Sequence, residues 1–194
     1  MTTTVTTAPP GVLADRVPKS LVADAAMILA VTALTALLAQ VRIVVGRSPV
    51  PLTGQTLVVL LGAAALGPWR AVAAQGLYVA VGLFGLPVFT GWESGLAHAS
   101  GVTGGYLAGF VIASAVVGVL ATRGADRRPV STALAFVAGS VTIYLVAVPW
   151  FMIVTGEAFG AALWQGAGVF LVGDALKALI AAGLLPGAWW LASR

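Results

Sequence analysis

The chain has 194 residues, of which 60% are hydrophobic and only 8% are charged, and its mean hydropathy is +1.04. This composition excludes a soluble domain and indicates an integral membrane protein. The net charge of +4 comes from few residues that form no basic face, which argues against a nucleic-acid partner, and the absence of cysteine excludes disulfides and thiol chemistry.

The first 19 residues, MTTTVTTAPPGVLADRVPK, are polar, contain prolines and lack the apolar stretch of a secretion signal. Such a segment cannot bury enough apolar surface to order itself. We therefore predict a disordered cytoplasmic tail over residues 1–19, followed by a membrane domain over residues 20–190.

Uncharged apolar segments follow one another through the membrane domain, and a helix needs about 20 apolar residues to cross a bilayer. Six segments fit, which predicts an all-α integral membrane protein with six transmembrane helices. They cover residues 21–41, 55–67, 69–84, 103–121, 132–154 and 164–185. The second is short because SPVPLTGQ, residues 48–55, contains two prolines and a glycine that resist helix formation, so we expect a structured loop there.

Lysine and arginine are distributed unevenly between the two sides that six crossings create. A cytoplasmic N-terminus leaves only Arg42 and Arg47 outside. The basic residues then on the inside are Arg16, Lys19, Arg70, Arg123, Arg127, Arg128 and Arg194. By the positive-inside rule, both termini are predicted to be cytoplasmic. The outer side then contains residues 42–54, 85–102 and 155–163, and two of these segments are long enough to build a site.

Small residues recur at four-residue spacing in two of the predicted helices, and in lipid such spacing lets helix backbones approach closely. Gly101, Gly105 and Gly109, at the start of the fourth span, favour packing within the bundle. Ala26 and Ala30, in the first span, allow either the same packing or a docking surface for a partner protein.

Asp174 and Lys177 interrupt the apolar run VFLVGDALKALIAAGLL, residues 169–185. Three residues apart on one helix, they share a face and lie near or somewhat past the middle of the predicted span. Inserting each into a membrane costs about 2.5 to 3.5 kcal/mol, which makes the pair a candidate functional site. The alternative is a local ion pair that only fixes the rotation of the helix. As a site, the pair suits a small amphiphile with N–H groups, a carbonyl or a carboxylate.

The sequence shows no pattern that indicates catalysis. The single histidine, His98, has no partner at metal-ligand spacing. Ser94 and Glu93 lie within a few residues of it, whereas a serine hydrolase sets these groups on separate rigid elements. No phosphate-binding G-x-x-x-x-G-K-[ST] sequence is present, so transport by this chain would need an ion gradient or a partner that hydrolyses ATP. We expect a binding or transport protein without cofactor or metal.

Four segments occur in the order and spacing of one membrane-protein family. They are SPVPLTGQTLVVLLGAAALGP (48–68), GLYVAVGLFGLPVFTG (76–91), GVTGGYLAGF (101–110) and GDALKALIA (173–181). Over about residues 20–190 the chain resembles the BioY proteins, the biotin-binding S components of energy-coupling-factor (ECF) transporters. The resemblance implies the ECF S-component fold, with six helices, N-in and C-in, and a biotin pocket near the outer side that the first and third loops close.

The resemblance also implies which residues bind the ligand. The G-D-x-x-K pair that binds biotin in the family corresponds to Asp174 and Lys177. A carboxylate can accept hydrogen bonds from the ureido N–H groups, and an ammonium can donate to the ureido carbonyl or to the valerate carboxylate. Tyr106 and Gln55 are further candidates for the lining, or else packing residues.

Two departures from the family pattern concern the outer loops. In TGWESG, Trp92 and Glu93 stand where the family commonly has glycines with an amide or small residue, and Val102 replaces a proline. Glu93 corresponds to a position that can contact the ligand's polar ring. An ionised glutamate only accepts hydrogen bonds, so it would bind ureido N–H groups and repel a carboxylate. The alternative for Glu93 is a solvated loop residue.

The resemblance implies partners as well. S components dock through an A-x-x-x-A surface, here Ala26 and Ala30, on a transmembrane coupling protein that is bound to two ATPases. The chain would then be a non-enzymatic subunit in the cell membrane of a prokaryote, with biotin as the transported ligand. The alternatives are an S component for another vitamin and a solitary or proton-coupled carrier, although carriers typically show internal inverted repeats and none is found.

Overall fold

Eight α-helices make up most of the part of the chain that the computed structural model describes, residues 11–46 and 48–194. They are α1 (Leu21–Ala39), α2 (Gln55–Leu66), α3 (Pro68–Leu83), α4 (Gly95–Ala99), α5 (Gly104–Thr122), α6 (Pro129–Thr155), α7 (Phe159–Gly166) and α8 (Leu171–Ala192). A short antiparallel pairing of β1 (Arg42–Ile43) with β2 (Leu52–Thr53) lies in the connection between α1 and α2. The mostly helical fold is confirmed, whereas six crossings and their orientation stay predictions.

Within the described part of the chain, four helical stretches are long and apolar enough to cross a membrane, namely α1, α5, α6 and the α7–α8 stretch, Phe159–Ala192. α2 has 12 residues and α3 has 16. At about 1.5 Å per residue, neither reaches the thickness of a hydrocarbon core, which is about 30 Å. α2 begins at Gln55, as the preceding prolines predicted, and Gly67 (φ 79°) joins it to Pro68, a residue suited to the first turn of α3.

The last predicted span, residues 164–185, is wrong at its start because the helix is broken there. α7 ends at Gly166, and α8 begins only at Leu171. Asp174 consequently lies in the first turn of α8 and Lys177 in the following turn, directly after this break. Both still lie near the middle of the whole apolar stretch Phe159–Ala192.

The break between α7 and α8 has a local cause. Ala167 has a non-helical φ of −142°, and a 3-10 turn covers Gly168–Phe170. A Cβ on Gly168 would lie 2.5 Å from Cε3 of Trp164, so the close packing of this turn requires glycine. Hydropathy contains no signal for such a break, because the segment is apolar throughout.

Part of the predicted disordered tail, residues 1–19, is ordered on the bundle. Residues 1–10 lie outside the described residues, as does Arg47 of the first outer loop. Leu13–Arg16 form a 3-10 turn that contacts α2 and α8, with Val12 and Ala14 buried. The prediction of disorder is therefore corrected for this turn, whose apolar side chains find partners only in the folded bundle.

Asp15 ties this N-terminal turn to the bundle. Its carboxylate accepts a hydrogen bond from the backbone N–H of Val12 at 3.0 Å and lies 3.2 Å from a guanidinium nitrogen of Arg70. Arg70 also donates to Asp24 of α1 at 2.6 Å. The hydrogen bond from Val12 and the charge of Arg70 lower the pKa of Asp15 below its usual value.

The same end of the bundle holds the connection between α5 and α6. Arg127 in this connection donates to the carbonyl of Gly11 at 3.3 Å, and its guanidinium lies 4.6 Å from the ring of Trp189 in α8. The indole of Trp189 donates to Asp126 at 2.5 Å. The loops that follow α1, α3 and α6 lie at the opposite end of the bundle.

α5 is the central helix and packs against α2, α3 and α6. A Cβ on Gly109 would lie 3.0 Å from the Cα of Ile143, and one on Gly105 would lie 2.8 Å from the Cα of Ala147. These two glycines therefore permit the close approach of α5 and α6 that the sequence predicted. Gly101, by contrast, lies in the loop before α5.

Candidate functional site

A cavity that is partly open to solvent lies at the end of the bundle away from the termini. Its wall comes from the segment from β2 into α2, the loop of residues 84–94 and the starts of α5 and α8. A cavity with apolar walls and a few polar groups is typical of a small-molecule site. Among the residues predicted for the site, the cavity brings together Gln55, Tyr106, Asp174 and Lys177.

Asp174 and Lys177 are linked to other helices as well as to each other. The Lys177 Nζ lies 3.5 Å from Asp174 Oδ1 and donates a hydrogen bond to Thr56 Oγ1 of α2 at 2.6 Å. Asp174 accepts a hydrogen bond at Oδ2 from the hydroxyl of Tyr144 in α6. Asp174 lies in the first turn of α8, where the helix dipole favours a negative charge.

Gln55 connects the start of α2 to the loop of residues 84–94. Its side-chain Nε2 donates to the Tyr78 hydroxyl at 2.7 Å, and its Oε1 accepts from Thr53 at 3.1 Å and from Thr90 at 3.2 Å. The Tyr78 hydroxyl in turn donates to the carbonyl of Val88 at 3.1 Å. The amide of Gln55 is thus held in the cavity wall by Tyr78, Thr53 and Thr90.

Tyr106 contributes its ring to the cavity wall. Its hydroxyl donates to the carbonyl of Gly166 at 2.5 Å, at the end of α7. Its ring packs edge-on against Phe170, with 6.3 Å between centroids. The hydroxyl is therefore committed to the turn before α8, and the ring is the part of Tyr106 available to a ligand.

Trp92 and Glu93 do not line the cavity. Both are exposed, and the Trp92 side chain is 65% accessible. Trp92 has a φ of 63°, and the Glu93 carbonyl accepts a hydrogen bond from the backbone N–H of Phe89 at 3.0 Å. This tight turn directs both side chains away from the cavity, and a ligand role for either one stays a prediction.

Gln40, at the end of α1, attaches the loop of residues 84–94 to the bundle. Its Oε1 accepts from the backbone N–H groups of Gly91 at 3.2 Å and Trp92 at 3.0 Å. Its Nε2 donates to the carbonyls of Phe89 at 3.0 Å and Ala36 at 3.1 Å. One side chain therefore holds the loop that presents Phe89 to the cavity.

Several lining residues were missed from the sequence, notably Thr56, Tyr78 and Tyr144. All three tyrosines of the chain line the cavity. A buried tyrosine hydroxyl normally needs a hydrogen-bond partner, so tyrosines within apolar helices were a usable signal. Thr56 gave no such signal, because threonine is common in membrane helices and can bond to its own backbone.

His98, on α4, also lines the cavity. Its ring stacks on Phe89 with 5.1 Å between centroids, and its Nε2 lies 3.2 Å from Thr103 Oγ1. Burial lowers the pKa of His98 below its usual value, an effect that the charge of Glu93 opposes. Within residues 11–46 and 48–194, no three His, Cys, Asp or Glu side chains are grouped as in a metal site.

Ala26 and Ala30 are exposed on the outer face of α1. α1 packs against α2 and α3, and these two alanines contribute nothing to the cavity. At this position α1 presents small side chains away from the bundle. Such a surface could contact either lipid or a partner protein.

Known proteins similar to this chain share one family description. A sequence model of the BioY family matches residues 5–194. A probable biotin transporter BioY of Pyrococcus horikoshii is 35% identical over 158 residues, which cover 81% of this chain and 91% of that protein. The biotin transporter BioY of Rhizobium etli is 33% identical over 144 residues, which cover 71% and 76%.

The fold is similar to a solved structure. The crystal structure of the S component for biotin from an ECF-type ABC transporter matches with a TM-score of 0.76 and 22% identity. The match covers 87% of this chain and 92% of that one. The predicted ECF S-component fold is thereby confirmed.

Proposed function

The chain belongs to the BioY family, and from this membership we propose that it takes up biotin as the substrate-binding membrane subunit, the S component, of an ECF-type transporter. The observation that carries the proposal is the cluster of Asp174, Lys177 and Thr56, which lines the cavity. This combination offers a hydrogen-bond acceptor and a cationic donor inside an otherwise apolar bundle.

The chemistry of the cavity complements biotin. Its ureido ring has N–H donors and a carbonyl, its bicyclic body is apolar, and its valerate chain ends in a carboxylate. Asp174 accepts from the ureido N–H groups, and Lys177 donates to the ureido carbonyl or to the carboxylate. Phe89, Phe110 and Tyr78 supply apolar surface for the body of the ligand.

We assign the cavity to the outer side of a prokaryotic cell membrane, with six crossings and both termini in the cytoplasm. Support comes from the basic residues Arg16, Arg127 and Arg194, which belong to the end of the bundle that holds the termini. α2 and α3 then cross as short helices, a mismatch that the bilayer accommodates by local thinning at modest cost.

Transport requires partners in this proposal, because the chain has no phosphate-binding motif of an ATPase. A transmembrane coupling protein docks on Ala26 and Ala30, and two ATPases bound to it hydrolyse ATP. Support comes from the exposure of both alanines on α1. Small side chains allow a close contact that can form and break.

Equilibrium binding of labelled biotin to the purified protein, in competition with other vitamins, tests the proposal. We expect saturable binding that unlabelled biotin displaces and other vitamins do not. Displacement by a different vitamin would identify an S component for that vitamin instead. Uptake that depends on a proton gradient and not on ATP would favour the solitary carrier.

A further inference from the structure

Tyr144 stands between two cavities. Besides the ligand cavity, an apolar groove lies between α6 and α7, lined by residues such as Leu145, Leu163 and Trp164. Among the described residues, Tyr144 is the one that lines both the groove and the ligand cavity. Its ring therefore separates a cavity that contains charged groups from an apolar groove on the outside of the bundle.

The hydroxyl of Tyr144 holds one carboxylate oxygen of Asp174. It donates to Oδ2, whereas the Lys177 Nζ lies 3.5 Å from Oδ1. Across the described residues 11–46 and 48–194, these are the side-chain polar contacts of Asp174. Lys177 is bonded more closely to Thr56, at 2.6 Å, so the hydroxyl of Tyr144 is the main restraint on the orientation of the carboxylate.

The ring of Tyr144 is itself held in place. It stacks on Phe170 with 6.5 Å between centroids and 13° between the ring planes. Phe170 also packs edge-on against Tyr106, whose hydroxyl bonds to the end of α7. This aromatic cluster joins α5, α6 and the turn before α8, so the hydroxyl of Tyr144 has a defined position next to Asp174.

We propose that Tyr144 is a positioning residue for the ligand: its hydroxyl orients the carboxylate of Asp174 through Oδ2 and leaves Oδ1, beside Lys177, for the ligand. The ring completes the role by closing the cavity toward the apolar groove. This inference rests on the proposed function, in which Asp174 contacts biotin directly.

Tyr144→Phe tests the inference, because it keeps the ring that separates the two cavities and removes only the hydroxyl. Thr142→Val is the matched control, since it removes a hydroxyl from the same helix that bonds to the carbonyl of Ala138 and does not line the cavity. Affinity for labelled biotin and thermal unfolding are measured for each purified protein. We expect binding about tenfold weaker for Tyr144→Phe and less than about threefold weaker for Thr142→Val.

A double-mutant cycle with Asp174→Ala distinguishes positioning from a general structural role. If Tyr144 acts through the carboxylate, Tyr144→Phe has no further effect on affinity in the Asp174→Ala background, where no side-chain oxygen is left to orient. A general structural role would weaken biotin binding to the same extent in both backgrounds. Equal losses in both backgrounds would therefore overturn the inference, even with biotin binding by the wild type intact.

The outcomes for the two proposals differ. Biotin binding by the wild type with unchanged affinity in Tyr144→Phe overturns the positioning role and leaves the proposed function standing. Absence of biotin binding by a folded wild-type protein overturns the proposed function and the positioning role with it. A selective loss in Tyr144→Phe that disappears in the Asp174→Ala background supports both.

Discussion

At the level of single residues, the contacts of Asp174 and Lys177 favour the predicted ligand site over a local ion pair. The Lys177 Nζ lies 2.6 Å from Thr56 Oγ1 but 3.5 Å from Asp174 Oδ1, and Asp174 is bonded to Tyr144. A pair that only fixed the rotation of α8 would have no need for partners on α2 and α6. Its position beside a cavity, in the first two turns of α8, favours the ligand site.

The lowered pKa of partly buried His98 predicts that the folded protein becomes less stable as the pH falls. Burial holds its folded-state pKa below the usual value of 6.5, so the unfolded state takes up the proton first as the pH falls. The contribution of neutral His98 is therefore complete above about pH 6.5 and is lost as the pH falls through the folded-state pKa. We expect the thermal unfolding temperature of the purified protein to fall below about pH 6.5, and to fall less in His98→Gln.

The control for this prediction is the comparison of the two pH profiles. Carboxyl groups such as Asp15 titrate at lower pH in both proteins and leave a common loss of stability. Parallel profiles over the range in which histidine titrates would show that His98 does not contribute.

At the level of elements, the loop of residues 84–94 depends on one side chain of another helix. Gln40 makes three hydrogen bonds to the backbone of this loop, at Phe89, Gly91 and Trp92. Gln40→Ala removes all of them, so we expect the loop to open at least about tenfold more often. Limited digestion with an unspecific protease measures this as faster cleavage within residues 85–102.

Ligand binding should protect the same loop from cleavage. If residues 85–102 close over biotin, added biotin slows their cleavage in the wild-type protein. Cleavage in the connection between α5 and α6, at the other end of the bundle, is the internal control and should not change. Equal cleavage rates of residues 85–102 with and without biotin would count against a lid.

Helix boundaries were predictable where charge or proline sets them. The predicted span 103–121 corresponds to α5, Gly104–Thr122, because Arg123 and the polar connection end the apolar run. The break before α8 was not predictable, because it depends on the packing of Gly168 against Trp164. Tertiary contacts of this kind have no periodicity in the sequence.

The candidate site, like the helix boundaries, was predictable only in part. Asp174 and Lys177 are conspicuous, because a charge within an apolar run is costly and demands a reason. Their partners Thr56 and Tyr144 are neutral, lie on other helices and meet the pair only through the fold. Trp92 and Glu93 were proposed from their place in the loop, whose tight turn directs both side chains outward.

At the level of the whole molecule, the cavity and the proposed docking face can be tested separately. Ala26 and Ala30 lie on the outer face of α1, and they do not line the cavity. Replacing both by tryptophan should abolish ATP-driven biotin uptake, because bulky side chains prevent close helix contact, and should leave biotin affinity near that of the wild type.

A matched control for the docking prediction is Leu134→Trp. Leu134 is exposed on α6, which packs mainly against α5, α7 and α8. It adds the same bulky side chain to a different outer face and should leave uptake unchanged. Normal uptake by the Ala26→Trp, Ala30→Trp double variant would remove the docking proposal.

The central claim, that Asp174 and Lys177 bind biotin, is tested most directly by the equilibrium affinity of the Asp174→Leu, Lys177→Leu double variant for labelled biotin. Lys177→Ala alone should weaken binding at least about tenfold, but it also strands a buried carboxylate. The double replacement removes both charges and their desolvation cost. We predict a stable, monodisperse double variant that binds biotin at least about tenfold more weakly than the wild type. A stable double variant that binds biotin as tightly as the wild type would contradict the claim.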